Sequence, residues 1–278
     1  MLSSRLQHLK AIAFCLSPGG STVLNVSVSV LLCLVLPADP QRETFEVNGA
    51  KREALVVAPA KTGEGGTPLV FVFHGHGGTA QHSARRMAIH PLWPEAVVVY
   101  PQGIPGVAGI TDAEGKRSGW QKNPVDLGDR DVKFVDVMLD QLAKKYKIDP
   151  TRVYALGHSN GSRFVNVLWN MRAEKFTAFC TSGGQGGLLL RSVPPRPVFV
   201  IAGEKDPLVP YTGQMRSVEL IRKLLNADAA RATVDGHYRV EPGKNGLELA
   251  TYLHPGGHEF PQETLPRIVK FFQRHVRK

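Results

Sequence analysis

The sequence predicts an α/β fold with a mostly parallel central sheet and helices on both faces. Three observations predict it. Continuous apolar runs at residues 69–73 (Leu-Val-Phe-Val-Phe) and 96–100 (Ala-Val-Val-Val-Tyr) read as buried strands. Residues 131–147 place Val132, Val135, Met138, Leu139, Leu142 and Tyr146 at three- and four-residue steps, the period of an amphipathic helix. Strand-like and helix-like segments alternate along the chain, as crossover connections between parallel strands require.

In chain order, residues 44–58 alternate well enough for a two-stranded hairpin. After the 69–73 strand, residues 79–88 are helix-compatible and end before Pro91 and Pro94, and the 96–100 strand follows. The helix over 131–147 opens on Asp131 and closes on Lys144, Lys145 and Lys147, the charge order that a helix dipole favours. Residues 152–156 then read as a strand, 161–171 as a helix, and 176–181 and 197–201 as two more strands. A helix around 218–225, one or two strands between 232 and 253 and a last helix from about 264 to 276 complete the order. Residues 102–130 form a connection without clear period, of a length that in compact domains usually serves function, and Trp120 lies in it.

The 278 residues, 42% hydrophobic and 21% charged, suffice for one enzyme-sized globular domain. A formal net charge of +10 favours anionic neighbours and says nothing about fold. The basic residues are dispersed, without a zinc-finger or RNP-type signature, so no nucleic-acid partner is expected. Arg5 and Lys10 precede an apolar run at 28–36 that ends in Pro37-Ala38-Asp39-Pro40. Residues 1–40 therefore read as a signal peptide or targeting segment and 41–278 as the one folded domain, with a secreted or periplasmic location expected. An uncleaved anchor is the alternative. The run is too short and too interrupted by Ser and Asn for a confident span of about 20 residues, so no stable membrane span is expected in the mature chain. Of the three cysteines only Cys180 lies in the body, which therefore has no internal disulfide.

Gly157-His158-Ser159-Asn160-Gly161 follows a predicted strand and opens a predicted helix, the context of a nucleophile elbow. There a sharp turn lifts the serine hydroxyl from the sheet, and flanking glycines permit the close packing. The glycine-rich His74-Gly75-His76-Gly77-Gly78 ends the 69–73 strand. Two backbone N–H groups are expected to form an oxyanion hole, one from Asn160 and one from His76 or Gly77. His74 and His76 also form an H-x-H pair, but no further ligand at metal-binding spacing completes a shell, so no metal is expected. His74 reads instead as a buried histidine that supports the loop. A serine nucleophile needs a base and an orienting acid, supplied in this fold from later loops. Asp206, after the 197–201 strand, is placed for the acid with Glu204 as alternative. His258, in His254-Pro-Gly-Gly-His258, is placed for the base with His254 as alternative.

Together these features resemble the polyhydroxybutyrate depolymerase, feruloyl esterase and acetyl xylan esterase-like family of α/β-hydrolases. They are HGHGG, GHSNG, the D-V-x-F start at Asp131 to Phe134, DPLVPY from Asp206 to Tyr211, and GGHEFP ending at Pro261. The resemblance implies ester hydrolysis by a Ser159–His258–Asp206 triad without metal or organic cofactor. The ester partner would be polymeric, a feruloylated or acetylated polysaccharide or a polyhydroxyalkanoate, or a small soluble ester. Secreted members often carry cysteine pairs near the elbow and before the Asp131 helix, whereas this chain has Trp120-Gln-Lys-Asn-Pro there. Trp120 and Tyr211 are candidates to line the substrate pocket, with core packing as the alternative. A serine peptidase of the same fold and a non-catalytic carbohydrate- or partner-binding module are the competing functions.

Overall fold

A computed structural model describes residues 38–60 and 65–277, so the targeting segment read at 1–40 lies almost wholly outside the described residues. Strands β1 (Gln41–Val47) and β2 (Ala50–Val57) form the hairpin, turning at Asn48-Gly49 with φ of 51° and 78°. Those left-handed angles are what Asn-Gly accepts at low cost in a two-residue turn. Next come β3 (Thr67–Phe73), α1 (Ala80–Arg86), β4 (Val97–Pro101) and α2 (Arg130–Tyr146). They are followed by β5 (Ile148–His158), α3 (Asn160–Arg172), β6 (Ala178–Ser182), β7 (Val198–Gly203) and α4 (Tyr211–Leu225). The last elements are β8 (Thr233–Asp235), β9 (Tyr238–Pro242), β10 (Glu248–His254) and α5 (Leu265–Arg274).

All ten strands join one sheet in the order β1-β2-β4-β3-β5-β6-β7-β10-β9-β8. The six central strands run parallel, and β1–β2 and β8–β9 close the two edges antiparallel. Period-two alternation divides each buried strand between two cores. Leu69, Phe71 and Phe73 of β3 face α2, α3 and α4, while Val70 and Val72 face α1 and α5. Val97 and Val99 follow the first pattern, Val98 and Tyr100 the second. A strand covered on both faces carries no polar alternation, which is why these runs are apolar throughout.

Three elements depart from expectation. The edge after β7 carries three strands, because Thr233–Asp235 pairs with β9 rather than ending as coil. Helix α4 begins at Tyr211, two turns before the apolar signal at Val218. Its buried face opens on Gln214 and Ser217, so an apolar period is visible only in its second half. The 102–130 connection is tied down by a bridge between Ile104 and Gly119, and by Gln121, whose backbone N–H donates to Asp131 at 2.8 Å. Asp131 in turn pairs with Arg52 at 2.9 Å, both buried. Burial lowers the Arg52 pKa while the Asp131 charge opposes that shift.

Candidate active site

The central strand β5 delivers Ser159 just past its C-terminal end, and α3 starts on the next residue. Ser159 adopts φ 57° and ψ −120°, a strained angle for a residue with a Cβ and the conformation that a strand-to-helix elbow imposes. The two elbow glycines are dictated by space. A Cβ on Gly157 would run into the Gly161 carbonyl and within 2.7 Å of Ser162 N, and a Cβ on Gly161 into the Phe73 carbonyl and within 2.6 Å of His74 O.

Folding brings Ser159, His258 and Asp206 together across 99 and 52 residues of chain. The His258 Nε2 atom lies 2.8 Å from Ser159 Oγ, and its Nδ1 lies 2.7 Å from Asp206 Oδ2. Asp206 is buried and accepts two backbone bonds through Oδ1, from Leu208 N at 2.9 Å and Val209 N at 2.8 Å. Its Oδ2 also accepts from Gln214 Nε2 at 3.1 Å. Burial works to raise the Asp206 pKa, but the bonds from Val209, His258 and Leu208 outweigh it and the net shift is downward. Asp206 is thus ionised at neutral pH, and its acceptor fixes the His258 tautomer with the proton on Nδ1. The alternatives sit elsewhere: Glu204 is exposed, and His254 closes β10 with its Nδ1 3.7 Å from Glu259.

The HGHGG loop abuts the elbow, since a Cβ on Gly75 would lie 3.2 Å from Ser159 Cβ. Gly77, expected as an oxyanion donor, is corrected: its N–H is engaged by Ser118 O at 2.7 Å, and that of Gly78 by Gly75 O at 3.0 Å. Among the described residues the backbone N–H groups of His76 and Asn160 bond to no protein acceptor, and that of Asn160 lies at the positive end of α3. His74 is fully buried, with Nδ1 donating to Gly75 O at 2.7 Å and Nε2 accepting from Gly103 N at 2.9 Å. Burial lowers its pKa to about 4, which keeps this loop support neutral. The His76 ring turns away to Asp112 Oδ2 at 3.0 Å, so the two rings of the H-x-H pair do not share one site.

Trp120, expected in the pocket, is corrected to a core residue. It has no exposed surface, stacks on Phe164 with centroids 5.4 Å apart and donates from Nε1 to His74 O at 2.9 Å. The Asn160 side chain clasps its backbone, accepting from Trp120 N at 2.7 Å and donating to Trp120 O at 3.0 Å. Tyr211 is also displaced: it starts α4 and does not line the cleft, where Leu208, Val209 and Pro210 do. The cleft over Ser159 holds about 1250 Å³ and runs from Met87 and Phe260 to Leu220.

Two contributors escaped sequence reading. Gln214 is buried four residues into a helix and carried no motif signal. His158, inside the elbow motif, packs its ring 5.1 Å from that of His258 with Nδ1 3.1 Å from Ser182 Oγ. Burial, then the neighbouring His258, lowers its pKa to about 4.

No family model matches the chain. The protein named "Putative esterase NocK" of Nocardia uniformis subsp. tsuyamanensis is 32% identical over 242 residues, 72% of this chain and 67% of that protein. The bifunctional acetylxylan esterase/xylanase XynS20E of Neocallimastix patriciarum is 28% identical over 166 residues, 59% of this chain and 22% of its own length. Feruloyl esterase B of Piromyces equi is 26% identical over 176 residues, 60% and 31% of the two chains. The chain thus spans less than a third of those two proteins. The acetyl xylan esterase from Aspergillus awamori shares the fold, with TM-score 0.59 over 85% of this chain and 99% of its own at 14% identity. The chain belongs to the esterase family of α/β-hydrolases related to feruloyl and acetylxylan esterases, and is a carboxylic ester hydrolase.

Proposed function

We propose that the protein cleaves esters linked to a polysaccharide or a polyester by a two-step acyl transfer centred on Ser159. The observation that carries this is the 2.8 Å approach of His258 Nε2 to Ser159 Oγ, with Nδ1 held 2.7 Å from buried Asp206. Ser159 Oγ bonds to the ester carbonyl carbon as its proton passes to His258 Nε2. The oxyanion that forms is met by the N–H groups of His76 and Asn160, which among the described residues bond to no protein acceptor. The proton on Nε2 goes to the departing alcohol oxygen as the C–O bond breaks. Water then repeats the sequence on the acyl-enzyme: His258 takes a water proton, the acid leaves, and Ser159 regains its hydrogen. Asp206 stays ionised throughout and stabilises the imidazolium formed in each step. Each proton passes through His258, between Ser159 and the leaving alcohol in the first step and between water and Ser159 in the second.

Feruloyl or acetyl groups on polysaccharide are in view by likeness to the relatives named above, and polyhydroxyalkanoate esters by the resemblance of the sequence motifs. Export, read from residues 1–40, belongs to the same proposal. Among the described residues no helix is long and apolar enough to cross a membrane. Treating wild type and Ser159→Ala with a fluorophosphonate, followed by peptide mass spectrometry, tests the chemistry. The expected result is a phosphonyl adduct on Ser159 that vanishes in the variant. A folded wild type that stays unlabelled refutes an assembled triad. Turnover of methyl ferulate, p-nitrophenyl acetate and hydroxybutyrate oligomers then separates the classes.

A further inference from the structure

The cleft over Ser159 has an uneven charge. Arg85, Arg86, Lys122, Arg163 and Arg216 line it, against Glu259 as its carboxylate. Among the described residues none of these four arginines has a carboxylate within the 4.0 Å of an ion pair. Elsewhere Arg52 pairs with Asp131, Arg172 with Asp136, Arg222 with Glu241, Arg267 with Asp235 and Arg274 with Glu248, while among the described residues Arg191, Arg196, Arg231 and Arg277 have no carboxylate at that distance. Unmatched like charges gathered in a concave surface repel one another, and the low-dielectric walls focus their field outward onto whatever enters.

The cations also have a geometry. Arg85 and Arg86 end α1, which follows β3, and Arg216 lies on α4, which follows β7. In the sheet order β3 and β7 stand on opposite sides of β5, the strand that ends beside Ser159. Arg85, Arg86 and Arg216 are exposed, and among the described residues their guanidinium groups bond to nothing. Arg163 is held by neutral acceptors, Lys122 O at 2.7 Å, Asn123 Oδ1 at 2.8 Å and Gly186 O at 2.5 Å, so its charge is fixed in place without a carboxylate at ion-pair distance. Positive charge thus flanks the serine on both sides. A single anionic group would need it on one side only. A volume of about 1250 Å³ exceeds the usual small-molecule pocket of roughly 300–1,000 Å³ and leaves room for several linked sugars.

Resting on the ester-hydrolase reading above, we infer that the substrate is an ester carried on a carboxylate-bearing sugar chain, whose repeating acids engage Arg85 and Arg86 on one side of Ser159 and Arg216 on the other. The planar guanidinium fork matches a carboxylate with two parallel hydrogen bonds, which a neutral xylan-type chain cannot accept in the same way.

The test compares acetylated oligogalacturonide with acetylated xylo-oligosaccharide of equal length, with p-nitrophenyl acetate as the small neutral ester. At about 20 mM salt, kcat/KM of the wild type is expected to be about ten-fold higher for the acidic chain, and to lose most of that advantage near 300 mM salt, where screening is strong. In R85Q/R86Q/R216Q the acidic-to-neutral ratio should fall toward one. Should that variant not fold, inhibition of the wild type by unacetylated oligogalacturonide, about ten-fold stronger than by xylo-oligosaccharide, carries the same information. Equal kcat/KM for both chains at low salt, with p-nitrophenyl acetate cleaved, overturns this inference and leaves the ester-hydrolase reading intact. Failure to cleave p-nitrophenyl acetate together with no fluorophosphonate label sinks both. Equal inhibition by an oligonucleotide of the same length overturns the carboxylate assignment.

Discussion

Replacing Gly161 by alanine tests the claim that the elbow is wedged against the oxyanion loop. The added Cβ would lie 2.6 Å from His74 O, and even closer to Phe73 O, whereas real Cβ contacts essentially never fall under 3.0 Å. Both oxygens belong to the backbone of the parallel sheet and its adjoining loop, so nothing flexible can yield. The start of α3 must retreat by more than about 0.4 Å, because the approach to Phe73 O is tighter still, and it carries the Asn160 N–H with it. A misplacement near 1 Å typically costs about 100-fold in rate, so a shift of this size should lower kcat/KM by roughly ten-fold or more. Overpacking of the same kind costs about 1–3 kcal/mol of stability. Urea unfolding and p-nitrophenyl acetate turnover would read the two effects separately. Gly65→Ala is the control, because nothing lies within 4 Å of its Cβ position and no left-handed φ is recorded there. A Gly161→Ala protein with wild-type stability and wild-type turnover would refute the wedge.

Further expectations concern the groups around the serine. Asp206→Asn keeps the shape but removes the charge that stabilises the imidazolium, and kcat should fall by roughly 10³–10⁴ with KM little changed; a loss under ten-fold would show that Asp206 only packs. Trp120→Ala should cost about 3–5 kcal/mol in urea unfolding, as a fully buried side chain does, and an unchanged midpoint would contradict its burial. His74 and His158 both have pKa values near 4, below the ordinary 6.5, so the unfolded chain binds more protons than the native one between those limits. Their contribution is therefore complete above pH 6.5 and lost as pH falls toward 4, at most ~3 kcal/mol each. The urea midpoint should drop between pH 7 and 5, and a flat midpoint would show that these rings are not held neutral.

Much of this molecule is local enough to be legible in its sequence. The runs at 69–73 and 96–100 are apolar throughout because both faces of their strands are covered, and that requirement writes itself into consecutive residues. The elbow glycines are equally local: the turn around Ser159 leaves no space for a Cβ at 157 or 161, so the motif states its own conformation. Helix α2 announced itself by its period. The first half of α4 did not, because Gln214 and Ser217 occupy its buried face and serve Asp206 and the loop at Gly186 rather than an apolar core.

By itself the sequence pointed to the sheet class, one candidate nucleophile, the strand-end loops that reach it and a short list of candidate acids and bases. Only the tertiary structure decided among Asp206, Glu204, His258 and His254, because proximity to Ser159 is set by a fold that closes 99 residues of chain on one hydrogen bond. It also decided that the Gly77 N–H belongs to Ser118, that Trp120 is core and that Tyr211 stands off the cleft. The physical reason is common to all of these. Hydrogen-bond capacity and apolar surface are properties of a residue, but the partner that satisfies them is chosen by whichever distant segment packs beside it. The cations around the cleft follow the same rule: in sequence they are scattered among other basic residues, and only folding gathers Arg85, Arg86, Arg163 and Arg216 around one cleft.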